Sequence, residues 1–582
     1  MRHRRERALP LLGYLAVAVA ALVVALPDSG SPWWIYADPD GAYVGSGANI
    51  LIGNHTNYLD HPGLPTQEAL ALGLGAWYLV DRARGIEGDR TAFVDRRLLD
   101  LDGSRLLYRG WAIALLVGGA LLVTSLLGRL LGHWTWGVAG GLAFLATPGL
   151  AEIAHRLRPD SFLAALAVAV AYLVVTGFER RSAARYVAAA AVFGFAMTWK
   201  ISIVWAALPL AIAVVWRPPS AGWPRDLAST TRRVWRRHRL WLVPVAAAWL
   251  VLCIAFNRER LPVVTNDGQR DVVIGAVTLI GGFALATLVA QRLRVPWADR
   301  VFTPLATLLL VAFAAGVLVP SALILDDALQ AIVAAAESLS GGRVNRQVDA
   351  FADVRLDAFL EFPLLAGTIV FVLSGAAVVV GLRRGVRWPL LLATAVVPMA
   401  LVAAARFSFD YYYATAYAFA LPGALWVLRG RATHVTVPAI VVVAALTLPL
   451  LTDLGTEETS VVPDGEAAQA LADELVGPGE VILATLDLPI EDVRWQMFVE
   501  GFNDHQPDYP YRFLGDSIWQ RARELGLTPT HYVNKAGDLP AAGTVEERTL
   551  GGETFTLRRL PREWGPDGRY GVEEVVERPA EP

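Results

Sequence analysis

Tyr186-Val-Ala-Ala-Ala-Ala-Val-Phe-Gly-Phe-Ala-Met-Thr-Trp199-Lys200-Ile-Ser-Ile-Val-Trp-Ala-Ala-Leu-Pro-Leu-Ala-Ile-Ala-Val-Val-Trp216 is the stretch whose reading decides the topology of this chain. As one helix it would be about 46 Å long, against roughly 30 Å of hydrocarbon in a bilayer. Its one charge, Lys200, would then sit mid-membrane, where an insertion scale puts the cost at about 2.5–3.5 kcal/mol. The stretch is therefore read as two short spans meeting at Lys200, with the ammonium at headgroup level. Parity agrees. Two spans keep the arginine-rich block from Arg217 to Arg239 on the side of the N-terminus, and one span puts it on the other side.

The rest of the chain reads as membrane protein. Of 582 residues, 55% are hydrophobic and 18% charged, with mean hydropathy +0.43; a soluble domain carries about a quarter charged residues. The net charge of −3 gives no basic field for nucleic acid. One cysteine, Cys253, lies in an apolar run, so no disulfide framework exists. Only two lysines, Lys200 and Lys535, occur among 51 basic residues.

Thirteen apolar stretches are candidate spans: Leu9–Leu26, Trp111–Gly128, Leu130–Ala151, Ser161–Phe178, Tyr186–Trp199, Ile201–Trp216 and Leu240–Phe256, then Val272–Ala290, Val301–Leu325, Phe362–Leu382, Trp388–Ala405, Tyr411–Leu428 and Val435–Leu451. The first follows Arg2, Arg4, Arg5 and Arg7 but lacks a small-residue cleavage site, and reads as a retained anchor. Placing the N-terminus in the cytoplasm makes every even-to-odd connection arginine-rich, as the positive-inside rule requires. The chain is thus expected to be a polytopic α-helical protein of the cell membrane, with residues 1–452 forming the transmembrane domain. A first outer loop covers residues 27–109, a second outer region Asp326–Glu361, and a small extracytoplasmic α/β domain residues 453–582. In that domain Glu480–Thr485, Thr530–Val533 and Thr554–Leu557 read as strands, and Glu466–Leu475 and Ser517–Leu525 as helices.

The residues that could carry chemistry gather on the outer side. In Asp38-Pro-Asp40-Gly-Ala-Tyr43, two carboxylates flank a proline that fixes the backbone between them. Such a pair could take a proton from a hydroxyl or hold a cation, although Pro-Asp-Gly is also ordinary turn chemistry. A second cluster, Tyr58-Leu-Asp60-His61-Pro62-Gly63-Leu64, reads as another turn. His55 and His61 could join Asp38, Asp40 or Asp60 around a metal, but the spacing matches no zinc motif. Glu152, His155, Arg156, Arg158 and Asp160 lie between the third and fourth spans, and Arg406, Asp410 and Tyr411-Tyr412-Tyr413 between the eleventh and twelfth. Arginines at this depth suit a phosphate. The tyrosines fit an interfacial aromatic belt or a sugar platform.

Asp40-Gly-Ala-Tyr43-Val resembles the Asp-Glu-Ala-Tyr-Tyr element after the first helix of GT-C glycosyltransferases that use lipid-phosphate sugars. Tyr58-Leu-Asp60-His61-Pro62-Gly63-Leu64 is similar to their Tyr-Tyr-Asp-His-Pro-Pro-Leu element, and Gly194-Phe-Ala-Met-Thr-Trp-Lys200 to their Gly-Leu-Ala-Leu-Leu-Ser-Lys segment. Thirteen spans and an outer C-terminal domain fit the protein O-mannosyltransferases and lipid A aminoarabinose transferases. The likeness covers roughly residues 9–450. It implies Asp40 as catalytic base and Lys200 as a ligand of the donor phosphate; Arg158 and Arg406, arginines of the same outer face, would stabilise that phosphate with it. Tyr43, Asp60, His61, His155, Asp160 and Tyr412 would contact substrate. Gly41 stands where the family has Glu, so Asp38 is the alternative carboxylate, and Gly63 stands where the family has proline. The C-terminal region lacks the Trp-Trp-Asp element of the oligosaccharyltransferases.

The resemblance implies a polyprenyl-phosphate monosaccharide as donor and an envelope glycan, lipid or protein as acceptor; a divalent cation is the one cofactor the sequence leaves open. Nucleotide sugars are cytoplasmic, so transfer on the outer face needs such a flipped donor. A transporter of lipid-linked sugars would show internal repeats and polar midplane residues, whereas Ser161–Phe178 and Phe362–Leu382 carry no charge. A non-catalytic assembly protein would use the C-terminal region, where the aromatics of Trp495–Phe513 form either a glycan platform or a core.

Overall fold

Alanine and glycine set how closely the helices of this chain approach one another. In a computed structural model the described residues are 2–26, 40–56, 63–86, 88–99, 101–147, 149–153, 158, 160–220, 222–258, 267–294, 301–340, 364–406, 413–429, 436–441, 444, 482–484, 531–535, 545–550 and 553–559. They form helices α1 (Arg2–Ala25), α2 (Asp40–Ile52), α3 (Leu64–Ala83), α4 (Arg90–Leu99), α5 (Leu101–Leu131), α6 (Trp134–Leu145), α7 (Leu150–Ile153), α8 (Asp160–Arg180) and α9 (Ala183–Trp199). After a 3-10 turn, Ile201–Ala206, come α10 (Ala207–Trp216), α11 (Trp223–Asn257), α12 (Asp267–Leu293), α13 (Pro304–Leu318), α14 (Leu325–Ser340), α15 (Leu364–Arg383), α16 (Trp388–Arg406) and α17 (Ala414–Arg429). Two compact units separate. One comprises Met1–Pro27, Leu59–Ala69 and Leu107–Gly455; the other comprises Asp28–Tyr58, Leu70–Leu106 and Thr456–Pro582.

In the first unit, α8 is buried almost all round, as its Ala-Val-Leu composition without a polar stripe dictates. It packs on α9, α10 and α17. Helices α9 and α13 cross so tightly that a Cβ on Gly194 would land on the Phe313 carbonyl, and one on Gly316 on the Ala191 carbonyl. Small residues at both faces are what such a crossing needs. Thr303 caps α13 by accepting from the Ala306 N–H at 3.1 Å, and Pro304 opens it. By contrast, α11 buries none of its residues, and Trp241, Val245, Leu250, Val251 and Ile254 stand exposed along its apolar half. An exposed apolar face of that length belongs in lipid.

Not every expected span is one straight helix. Among the described residues, Leu107–Leu131, Asp160–Arg180, Trp223–Asn257 and Gly268–Leu293 are long and apolar enough to cross a membrane, and the pair Pro304–Leu318 and Pro320–Val333 makes a fifth bent by 48°. The chain is multi-pass. The stretch Leu130–Ala151 is not one span: its start belongs to α5, Gly132 breaks the chain at φ +80°, and α6 has only 12 residues. Val301–Leu325 is bent because Pro320 removes a backbone donor at the joint. The described part of the segment expected as the first outer loop holds α2, α3, α4 and the start of α5.

Within the second unit, α4 is pinned to α2 by Arg90 Nη1 donating to the Leu51 carbonyl at 3.2 Å. Arg97 donates to Asp81 at 2.8 Å and lies 3.6 Å over the Trp77 ring. The C-terminal region contributes a four-stranded sheet of order β1-β2-β4-β3, with β1 (Ile482–Ala484) parallel to β2 (His531–Lys535). Strand β4 (Glu553–Arg559) runs antiparallel to both β2 and β3 (Val545–Leu550). Strands β1, β2 and β4 fall on stretches read as strand-like from sequence. Strand β3 does not, because Val-Glu-Glu-Arg-Thr-Leu lacks apolar alternation; charge is what an edge strand carries to discourage further pairing. The expected helices Glu466–Leu475 and Ser517–Leu525, and the aromatic stretch Trp495–Phe513, lie outside the described residues.

Candidate functional site

Asp160 opens α8, where its carboxylate meets the positive end of the helix. Lys200 closes α9: its N–H donates to the Ala196 carbonyl at 3.2 Å, and its backbone is extended before the 3-10 turn. These two helix ends bring the side chains together, and Lys200 Nζ donates to Asp160 Oδ1 at 2.9 Å. Lys200 is 8% exposed, Asp160 3% and Arg158 3%. A buried pair of this kind repays its desolvation only with good geometry, and removing one partner costs about 3–5 kcal/mol. Three ionisable side chains this deep in an apolar bundle are costly and mark function by default. An ammonium has three donors, so Lys200 can hold Asp160 and engage an anion.

Gly63, from the second sequence motif, meets the third within the first unit. The Gly63 N–H donates to the Trp199 carbonyl at 3.0 Å, one residue before Lys200. Gly63 has φ +35°. Proline, the residue of the resembled motif, is fixed near φ −65° and has no N–H, so it could neither take this backbone nor make this bond. The Trp199 ring is buried and packs against Phe162 at 5.0 Å and Phe195 at 5.9 Å between centroids.

The other expected site residues are distributed as follows. Asp40 is not in a turn: it is the first residue of α2. Tyr43, one turn on, is 1% exposed and part of that helix's packing. Arg406 is the last residue of α16. Asp38, Asp60, His61, His155 and Tyr412 lie outside the described residues. Tyr413 is not in an exposed belt; it is buried and stacks on Tyr417 at 5.9 Å, which in turn packs on Phe371 at 4.5 Å.

Among the described residues, four buried carboxylates escaped the sequence reading: Asp81 in the second unit, and Glu68, Asp326 and Asp327 in the first. Glu68 accepts a hydrogen bond from the Leu323 backbone. Burial pushes its carboxyl well above the usual range, the Leu323 bond opposes this, and the Asp327 charge adds to the rise. Gln269 Nε2 donates to the Asp326 carbonyl at 3.0 Å, tying α12 to the start of α14. Carboxylate oxygens are what a hard divalent cation takes, so Asp326 and Asp327 are residues that could serve one. Their sequence signal was the acidic pair directly after the apolar Pro320-Ser-Ala-Leu-Ile-Leu325, which on its face reads as a span leaving the membrane.

No family model matches the chain, and no curated protein matches it. Among solved structures it is similar to the oligosaccharyltransferase AglB of Archaeoglobus fulgidus, solved with an inhibitory peptide and a dolichol-phosphate, at TM-score 0.45 and 12% identity over 91% of this chain and 70% of that one. It is also similar to ArnT of Cupriavidus metallidurans bound to undecaprenyl phosphate, at TM-score 0.30 and 16% identity over 94% of this chain and 97% of that one. At such overlaps no substrate or residue role passes from them to this chain.

Proposed function

We propose that this chain is an integral-membrane glycosyltransferase that moves a monosaccharide from a polyprenyl-phosphate carrier to an acceptor of the cell envelope on the outer face of the membrane. The observation that carries the reading is the buried group of Arg158, Asp160 and Lys200, with Lys200 paired to Asp160 at 2.9 Å. The three ordered motifs and the Gly63–Trp199 bond between two of them support it. Asp40, with Asp38 as the alternative, takes the proton from the acceptor hydroxyl as it attacks the anomeric carbon. Arg158, Lys200 and Arg406 stabilise the phosphate that departs on its lipid. Asp160 acts through Lys200 by fixing where the ammonium sits. Residues 1–452 carry the reaction, and residues 453–582 form the outer domain.

The test is sugar transfer by the purified chain and its Asp40→Asn variant, using a panel of polyprenyl-phosphate monosaccharides and crude envelope acceptor. Transfer that collapses in a folded variant supports the base assignment. Unchanged transfer moves that role to Asp38. Donor binding without transfer from any donor overturns the enzymatic reading in favour of transport or assembly.

A further inference from the structure

At the arginine-rich helix ends of the first unit lies a cleft of about 430 Å³ lined by Phe178, Arg181, Trp216, Arg217, Arg387 and Trp388, with Glu179 as its one carboxylate. We infer that this cleft binds the phosphate headgroup of an anionic membrane lipid. Three guanidiniums reach it from three different joints: the α8–α9 turn, the end of α10 and the α15–α16 turn. Two are braced by aromatic rings, with Arg217 over Phe178 at 5.4 Å and Arg387 over Trp216 at 5.2 Å. An arginine held over an aromatic ring still offers its guanidinium fork, which suits a phosphate. Phe178 and Trp216 pack edge to face at 5.8 Å, so the braces support each other.

A second observation is backbone strain. Arg181 has φ +50°, a left-handed conformation that costs a non-glycine residue about 1–2 kcal/mol. Glycine would relieve it, so Arg181 stands where the local backbone alone would favour glycine. The neighbourhood favours lipid over a soluble anion. Trp216 continues into Val215 and Leu208 on α10, and Val379 and Leu382 line the nearby end of α15, all exposed and apolar. An anion in this cleft therefore sits at the edge of an acyl-compatible surface, the arrangement of a headgroup and its chains.

Lipid retention by the full chain in detergent, read by native mass spectrometry, tests the inference with phosphatidylglycerol, phosphatidylcholine and inorganic phosphate as probes. Phosphatidylglycerol should be retained over phosphatidylcholine, with a loss of about fivefold for each arginine removed in Arg181→Gly and Arg387→Gln. Arg181→Gly should unfold at an equal or higher temperature, which separates lost binding from lost folding. Equal retention by wild type and the double variant overturns the site. Inorganic phosphate that binds equally well, with no preference between the lipids, overturns the lipid.

Discussion

The Tyr186 hydroxyl donates to the Arg217 carbonyl at 3.1 Å and lies 3.4 Å from that of Ala213. The first turn of α9 therefore lies beside the end of α10, and the chain reverses at Lys200 instead of running on as one rod. Tyr186→Phe should lower stability by about 1 kcal/mol, the net worth of a buried hydrogen bond, and leave the ring's packing intact. Thermal unfolding in detergent reads this directly; an unchanged midpoint would mean that the bond contributes nothing to the reversal.

Lys200 and Asp160 should separate structure from function. Lys200→Ala or Asp160→Ala leaves a buried charge without its partner and should cost about 3–5 kcal/mol. The double substitution Lys200→Met with Asp160→Leu should regain much of that stability, because an apolar pair of similar volume avoids desolvation. Sugar transfer should stay lost in the double variant. Recovered transfer together with recovered stability would make the pair purely structural.

Gly63 carries a backbone that only glycine adopts cheaply, with its N–H committed to Trp199. Gly63→Ala should cost about 1–2 kcal/mol, and Gly63→Pro about 3 kcal/mol or more, since it loses the donor as well. Yield of folded protein and unfolding temperature should rank Gly above Ala above Pro. A proline variant as stable as wild type would show that the Gly63–Trp199 bond is dispensable.

The α9–α13 crossing leaves no room at Gly194 or Gly316. Gly316→Ala should cost about 1–3 kcal/mol as the helices are forced apart. The same change at Gly275, where nothing lies near, should cost nothing measurable.

Glu68 gives a pH signature. Its pKa is raised in the fold by burial, so its contribution is fully present below the unfolded value near 4.5 and is lost as pH rises through the folded value. Stability of the wild type should therefore fall, relative to Glu68→Gln, as pH increases from about 4.5 towards neutrality. Parallel unfolding curves for the two proteins across that range would show that Glu68 is ionised in the fold.

By itself the sequence determined a lipid-embedded helical chain, because apolar run length and arginine placement are local, one-dimensional signals. It also located the break at Lys200, where one charge in a long apolar run cannot be left in hydrocarbon. It marked Lys200, Arg158 and Asp160 as polar residues out of place, but a sequence 40 residues apart does not say that Lys200 meets Asp160. Asp40 looked like a turn because Pro-Asp-Gly is turn chemistry in isolation; the helix that follows absorbs it. The substitution of proline by Gly63 had no visible reason until a positive φ and a donated N–H to Trp199 supplied one. Glu68, Asp326 and Asp327 looked like ordinary acidic residues, since burial is a property of neighbours that arrive from elsewhere in the chain. What only the tertiary structure decided were these pairings across distance, set by how closely Gly194 and Gly316 let the helices pack and by which helix ends that packing brings together.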